Sequence, residues 1–265
     1  EPSNNDYLFE LGQAEFWVGY VAWQRGELDQ ANQSMQRYLE YSEKLSGREP
    51  GNVDYKLEVS YALSNLGSIA NAQSQPEKAL EKFQAAAAIG EKLLDGDPVN
   101  ADLAMNLADT ISWIGTSLLD LGQLKAARAQ FRKAAEIMRP FHQKGKDKRA
   151  SDYYARILGL YGDAEYNAGA IASGTEALLE SVTIYDELHK EDATNNFRQS
   201  TATRSDISLL SINPPGLWSM NDQKKVSEIQ QQINAQLSEE PSDTDLIMLK
   251  GKLQRMQLIR ILKTD

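Results

Sequence analysis

The stretch Glu49-Pro50-Gly51-Asn52 decides the fold, because it recurs. Glu1-Pro2-Ser3-Asn4 lies 48 residues before it, and Asp97-Pro98-Val99-Asn100 lies 48 residues after it. Proline cannot continue a helix, and the Asn beside it can cap the helix that follows. Each motif has an Asp two residues later, where the positive end of the helix dipole favours a carboxylate. The repeat therefore predicts helices that begin near Asn4, Asn52 and Asn100.

Each repeat contains two helices. Apolar residues follow Asn52 at helical spacing as far as Ala70, and Ser74-Gln75-Pro76 then interrupts the pattern. The neighbouring repeats break at Gly26 and Gly122, which suit the C-terminal end of a helix. We call the helix before the break helix A and the helix after it helix B. The repeated unit is predicted to be a helical hairpin.

Gly67 lies inside a predicted helix A, and Gly19 and Gly115 hold the same place in the neighbouring repeats. Glycine in a helix interior costs about 1 kcal/mol relative to alanine. Its recurrence predicts that helix B passes too close for a side chain, at Ala79 and Phe83 in the second repeat. A single hairpin leaves an apolar face uncovered, so the hairpins are expected to stack.

These residues resemble the tetratricopeptide repeat. The resemblance rests on Leu66, Gly67, Ala79, Phe83 and Ala86 in the second repeat and on Ile114, Gly115, Gly122, Ala127, Phe131 and Ala134 in the third. The usual tetratricopeptide period is about 34 residues. With its period of 48, the sequence is similar to a bacterial subclass that has longer helices and D-P-x-N linkers. In that subclass the arrays are often appended to signalling modules. HEAT and armadillo arrays, with periods of about 40–47, are the rival architecture, but the Gly/Ala/aromatic pattern favours the tetratricopeptide repeat.

The predicted fold class is all-α, an αα-hairpin superhelix of tetratricopeptide type with a C-terminal capping helix. Residues 1–210 are assigned to about four and a half hairpins. Residues 211–265 are assigned to an irregular loop and capping helices of the same solenoid, including a polar helix over about 222–237. The fourth unit is predicted over about 151–190, with Gly174 where other units have Ala and a looser helix contact at that point.

Composition narrows the choice of partner. The net charge of −10 disfavours nucleic acid and anionic membrane surfaces, and it favours either solubility alone or basic partners. No apolar run approaches the roughly 18 residues of a membrane span, so direct membrane insertion is not expected. The absence of cysteine excludes disulfides and thiolate metal sites but leaves a cytoplasmic or a periplasmic location open. A start on a linker motif without Met predicts a segment of a longer protein or a processed form.

The sequence contains no recognisable catalytic constellation. His142 and His189 are the only histidines, and they lie in different units without metal-ligand spacing. No phosphate-binding loop is present. The prediction is a protein that is not an enzyme and has no metal or cofactor.

The family resemblance implies a ligand groove on the concave side, lined by helix A residues at −6, −3, +1, +4 and +5 from the repeated glycine. Transferred to this chain, these positions are Gln13, Phe16, Tyr20, Trp23 and Gln24; Tyr61, Ser64, Ser68, Asn71 and Ala72; Asp109, Ser112, Thr116, Leu119 and Asp120; and Arg156, Gly159, Asp163, Tyr166 and Asn167. The set has three acids and a single base, and it lacks the Lys/Asn arrangement that clamps a C-terminal carboxylate in some family members.

The predicted function is a protein–protein interaction or scaffold module that binds a peptide or partner protein in this groove, within a larger bacterial signalling or regulatory protein. The alternative is a passive structural or self-association element that forms a homodimer through its first helix. That helix is rich in aromatic residues, among them Phe16, Trp17 and Trp23. Two interpretations of these aromatics stay open: packing as an end cap or against a preceding unit, and contact with a ligand.

Overall fold

The computed structural model describes residues 4–145, 147–191, 206–207, 210, 220–239, 247, 250–251 and 253–254. No β-strand occurs in these ranges. The helices with defined bounds are α1 (Asn5–Gln24), α2 (Leu28–Arg48), α3 (Val53–Ala72), α4 (Pro76–Gly96), α5 (Ala101–Asp120), α6 (Leu124–Gln143), α7 (Lys148–Asn167), α8 (Ile171–Glu191) and α9 (Met220–Glu239). The all-α fold class and the hairpin repeat are confirmed.

The repeated linkers cap the helices as predicted. Asn52 Oδ1 accepts hydrogen bonds from the backbone amides of Asp54 and Tyr55 at 3.0 and 3.2 Å. Asn100 accepts two amides in the same way, and Asn4 accepts one. Each bond satisfies an amide in the first turn that has no partner within the helix. This local chemistry explains why α1, α3 and α5 begin at the same point of the repeat.

The fourth linker works differently. The fourth unit is predicted to begin near residue 151, but α7 already begins at Lys148, so that start is wrong by about one turn. The reason is Asp147, whose carboxylate accepts the Arg149 amide at 2.9 Å and caps the helix. Hydrogen bonds from the Arg149 guanidinium also hold the pKa of Asp147 below its ordinary value.

The repeated glycines lie where helix B touches helix A. A Cβ added at Gly67 would stand 2.8 Å from the Phe83 ring, and one added at Gly115 would stand 2.6 Å from the Phe131 ring. Both rings are fully buried. The predicted close contact is confirmed, and it explains why glycine is kept inside these helices.

The expectation of a looser contact at Gly174 is wrong. A Cβ there would lie 2.8 Å from the Tyr166 backbone nitrogen and 2.9 Å from the Gly162 carbonyl oxygen. The glycine on helix B thus lies directly against the backbone of helix A, and Leu178 fills the space over Gly162 that a phenylalanine ring fills over Gly67 and Gly115. The α7–α8 contact is therefore close, and it is made by main chain at Gly174 and by the Leu178 side chain at Gly162.

The chain divides into two compact units, Glu1–Met138 and Arg139–Asp265. In the first unit each helix packs against the next, from α1 to α5. In the second unit α7 packs against α8, and α9 contributes Val226, Ile229 and Ile233 to a buried cluster with Ile207, Leu210 and Leu253. The predicted polar helix over 222–237 is confirmed as part of α9.

Several predictions fall on other parts of the chain. The sequence also predicts a degraded linker at 192–195, a helix over 197–210, a break at 211–216 followed by Trp218 in a loop, and a last helix after Pro241. Most of these residues lie outside the described ranges. The predicted domain division at residue 210 stays a prediction. Within the described ranges, no helix has both the length and the apolar character needed to cross a membrane.

Candidate partner-binding surface

The predicted groove residues of the first unit lie on α1, α3 and α5, and we call this surface the A-helix wall. The repeat arranges it in rows, each holding one residue from each of the three helices. The +5 row, with Asp120, is exposed throughout, and the −6 and +1 rows hold one exposed side chain each, Tyr61 and Tyr20, which are 38% and 37% exposed. The −3 row is half-buried or buried, and the +4 row holds the half-buried Trp23 and Asn71 together with Leu119, which is 40% exposed.

Side chains of the −3 and +4 rows join the helices to one another. Ser64 Oγ and Thr110 Oγ1 are 3.5 Å apart across α3 and α5, and Ser117 donates its hydroxyl to Asn71 Oδ1 at 3.4 Å. Ser112 is 1% exposed and donates to the Asp109 carbonyl at 2.7 Å. Ser64, Asn71 and Ser112 are thus engaged within the protein, and the exposed side chains of the wall form the surface that a partner would meet.

Gln13 belongs to a polar cluster that sequence reasoning missed. Its side-chain amide donates to Glu58 Oε2 at 2.8 Å, and the Tyr38 hydroxyl donates to the same oxygen. Burial together with this bond to a carboxylate raises the pKa of the Tyr38 phenol far above its usual range. The cluster ties α1, α2 and α3 together beneath the −6 row. The sequence carries no signal for this cluster, because the repeat register does not show which polar side chains meet across helices.

The α1 column of the wall is aromatic. The Phe16 ring centroid lies 6.1 Å from that of Tyr20 and 5.7 Å from that of the buried Tyr38, which anchors the group to α2. Trp17 meets both Phe16 and Tyr20 edge to face, and it is 59% exposed. Trp17 was not among the predicted groove residues because it stands at −2 from the glycine. Trp23 is half-buried and packs against the same core.

The charges that the predicted positions bring to this wall are acidic. Asp109 lies in the −6 row and Asp120 in the +5 row, both on α5, and none of the predicted positions on α1, α3 and α5 is a Lys or an Arg. Asp109 and Tyr61 hold the same −6 position on α5 and α3. A surface with exposed phenols and carboxylates suits a ligand segment with basic side chains.

The predicted residues on α7 belong to the second unit. Arg156, Gly159, Asp163 and Tyr166 are partly exposed, and Asn167 is exposed at the end of the helix. The Arg156 guanidinium lies 5.5 Å from the centre of the Tyr153 ring. The A-helix wall therefore comprises the predicted positions of the first three hairpins, and the α7 set forms a separate group.

A cleft of about 550 Å³ opens elsewhere in the first unit, and it contains none of the predicted residues. It lies between α2 and α4 above Leu66 and Ala70 of α3. Acidic side chains of α2 such as Glu40 line one side, and Lys78 and Lys82 of α4 line the other. No group of His, Cys, Asp or Glu in the described part of the chain is arranged to hold a metal ion.

Comparison with known proteins supports the fold. The chain matches no protein-family model and no curated relative. Among solved structures, the apo form of RapI matches with a TM-score of 0.64 at 13% identity, covering 97% of this chain and 85% of RapI. A tetratricopeptide repeat protein from Parabacteroides merdae matches with a TM-score of 0.40 at 15% identity, covering 96% of this chain and 76% of that one.

The fold is tetratricopeptide-like. The glycine-to-aromatic contacts, the capped linkers and the similarity to RapI agree on it. At such low identity the similarity concerns the fold and carries no ligand or partner with it. The long-helix bacterial subclass stays a prediction.

Proposed function

We propose that the chain is a non-enzymatic protein-interaction module that binds a basic segment of a partner protein on the A-helix wall. The observation that carries the proposal is the −6 row, where the exposed Tyr61 of α3 and the half-buried Asp109 of α5 hold the same repeat position. Tyrosine is enriched in interface cores, because its ring buries a large area while its hydroxyl bonds to polar groups. A carboxylate in the neighbouring column selects for a Lys or Arg in the bound segment.

Long-range charge supports the same partner. The net charge of −10 attracts a basic segment from a distance and raises its rate of association. The predicted wall positions lack the Lys/Asn clamp, which disfavours acidic peptide tails. Because exposed charges are screened within about 8 Å at physiological ionic strength, binding should weaken as salt is raised. By resemblance, the module serves as a scaffold in a larger bacterial signalling or regulatory protein.

A displayed peptide library selected on the whole chain tests the proposal. Peptides that bind should be enriched in Lys and Arg. The double variant Tyr61→Ala/Asp109→Ala should weaken the best peptide by about tenfold or more, since truncating a central interface side chain commonly costs 1–2 kcal/mol. Fluorescence anisotropy with labelled peptide measures the dissociation constant.

The matched control is Tyr41→Ala/Asp95→Ala, which removes one tyrosine and one aspartate from α2 and α4, neither of them at a wall position. This control should bind the peptide like the unaltered chain. Circular dichroism checks that both variants fold. Equal affinity for the wall variant and the control would refute binding on the A-helix wall, and enrichment of acidic peptides would refute the proposed partner chemistry.

A further inference from the structure

The outer face of α1 is apolar and exposed. Tyr7, Val18 and Val21 are 55%, 46% and 44% exposed, and Ala14 lies between them on the same stripe. Trp17 borders the stripe and is 59% exposed. Together these residues form what we call the α1 stripe, and they occupy one helix face because they are spaced by three, four or seven residues. Such a contiguous apolar surface marks an interaction site.

Most of the equivalent positions on the other A helices of the first unit, α3 and α5, are buried. In α3 the equivalent positions include Ala62, Leu66 and Ile69, which are 0%, 5% and 1% exposed. These three residues form a buried cluster with Met35 and Tyr38 of α2, the helix B of the preceding hairpin. In α5 the equivalent positions are also buried, and α5 packs against α4. The α1 stripe therefore holds the repeat positions that are mostly buried in α3 and α5, where the helix B of the preceding hairpin packs against them.

Trp17 supports the same comparison through ring geometry. Its equivalent in α5 is Trp113, which stacks on Phe83 of α4 with ring centroids 5.9 Å apart and planes inclined by 11°. Phe83 also fills the space over Gly67 of its own hairpin. An aromatic residue of helix B therefore sits between its own helix A and the tryptophan of the next. Trp17 holds the tryptophan position of this arrangement and is exposed.

Charge at the end of the stripe is complementary to a helix B. In α3, Gln73 donates its side-chain amide to Asp29 in the first turn of α2, at 3.4 Å. Arg25 occupies the position of Gln73 at the end of α1, and it is exposed. The position of Asp29 is held by Glu77 in α4. An acid in the first turn of a docked helix B would therefore meet a guanidinium.

We propose that the α1 stripe binds the helix B of a further helical hairpin, one with an acid in the first turn and an aromatic residue six positions later. The aromatic ring stacks on Trp17, the acid pairs with Arg25, and the apolar stripe covers Ala14, Val18 and Val21. The α4 helix has this pattern, with Glu77 and Phe83. The stripe adjoins the A-helix wall at Trp17 but contains none of the wall positions, so this inference does not depend on the proposed function.

A labelled peptide of residues 76–96, the α4 sequence, tests the docking on the whole chain by fluorescence anisotropy. The peptide should bind, and the variant Val18→Glu/Val21→Glu should weaken it by about tenfold or more, because a charge buried without a partner is strongly unfavourable. Val99→Glu is the control, since Val99 is 72% exposed in a linker away from the stripe. A peptide with Phe83→Ala should also bind more weakly.

A second measurement avoids the cost of folding an isolated peptide. Residues 53–100, the α3–α4 hairpin with its linker, are fused directly before Asn5, which keeps the register of the repeat. The added hairpin should slow hydrogen exchange of the α1 amides and raise the Tm of the chain. Val18→Glu/Val21→Glu in the original α1 should abolish both effects, and Val99→Glu in the original chain should leave them in place.

The inference is overturned if the fused hairpin gives no protection to α1, or if the stripe variant and the Val99→Glu control behave alike in both measurements. It is also overturned if light scattering shows that the unaltered chain dimerises and that Val18→Glu/Val21→Glu makes it monomeric, because a second copy would then cover the stripe. Tyr61→Ala/Asp109→Ala should leave docking of the hairpin unchanged. Failure of docking on the α1 stripe can therefore be distinguished from failure of peptide binding on the A-helix wall.

Discussion

The hairpins of the first unit and the α7–α8 hairpin of the second unit make the same helix contact by different means. In the first unit, Gly67 and Gly115 of helix A each receive a phenylalanine ring from helix B. In the second unit glycine stands on both helices, and the backbone at Gly174 meets the backbone near Tyr166. A close contact in this repeat can therefore be filled by a ring or closed by main chain.

The two kinds of contact differ in how well they can accommodate an added side chain. A ring can turn or shift by a few tenths of an ångström when a neighbour grows, whereas two helical backbones cannot separate without moving the whole hairpin. Close packing of protein interiors makes such strain costly. The number of added atoms and the stiffness of the surroundings should therefore both determine how each glycine tolerates substitution.

The largest effect is expected for Gly115→Leu. Even a Cβ at this position would stand 2.6 Å from the Phe131 ring, and the three further carbons of leucine have no space. We expect a loss of about 3 kcal/mol or more in the free energy of unfolding. Urea denaturation measures it, with Gly47→Leu as control, because nothing lies within 4 Å of a Cβ at Gly47. Equal stability of the two variants would contradict a close contact at Gly115.

A smaller loss in the free energy of unfolding is expected for Gly174→Ala, which adds a single carbon. That carbon would lie 2.8 Å from a backbone nitrogen, so the hairpin itself must open. We expect a loss of about 1–3 kcal/mol, as for other overpacked sites. The control Gly47→Ala should instead stabilise by up to about 1 kcal/mol, since alanine is the better helix former. A stabilising Gly174→Ala would mean that the contact is loose.

The turns between helices A and B give the smallest expected effect. The second hairpin has Ser74 with φ of +56°, where Gly26, Gly122 and Gly169 hold the same place with φ of +74°, +72° and +82°. Left-handed backbone costs a residue with a Cβ about 1–2 kcal/mol. Allowing for the greater freedom of glycine in the unfolded chain, Ser74→Gly should stabilise by about 0.5–1 kcal/mol. Thermal unfolding with Gly122→Ser as the reverse change measures it, and opposite signs are expected.

Much of the fold could be predicted from the chemistry of residues close together in the chain. The caps at Asn52 and Asn100, the break before Pro76 and the polar helix now seen as α9 depend on residues close together in the chain. The start of α7 was missed because a run of basic residues hid the capping role of Asp147. Local signals therefore predicted where helices begin wherever the capping residue was recognised.

The candidate site was readable only in part. The register of the repeat named the rows of the A-helix wall, but it did not separate exposed rows from those that join neighbouring helices. Ser64 and Asn71 contact α5, and Ser112 is buried, because the rotation of each helix about its axis is determined by packing against the next. The register also did not indicate that Glu58 accepts hydrogen bonds from both Gln13 and Tyr38.

The sequence by itself determined the 48-residue repeat, the helix ends and the glycines at the close contacts, because capping, helix breaking and periodicity act over a few residues. The tertiary structure alone decided which polar side chains are engaged between helices, that α7 and α8 meet through their backbones, and that the α1 stripe is exposed. These properties arise from distances between residues far apart in the chain, and a period specifies which positions are equivalent without specifying what covers each of them.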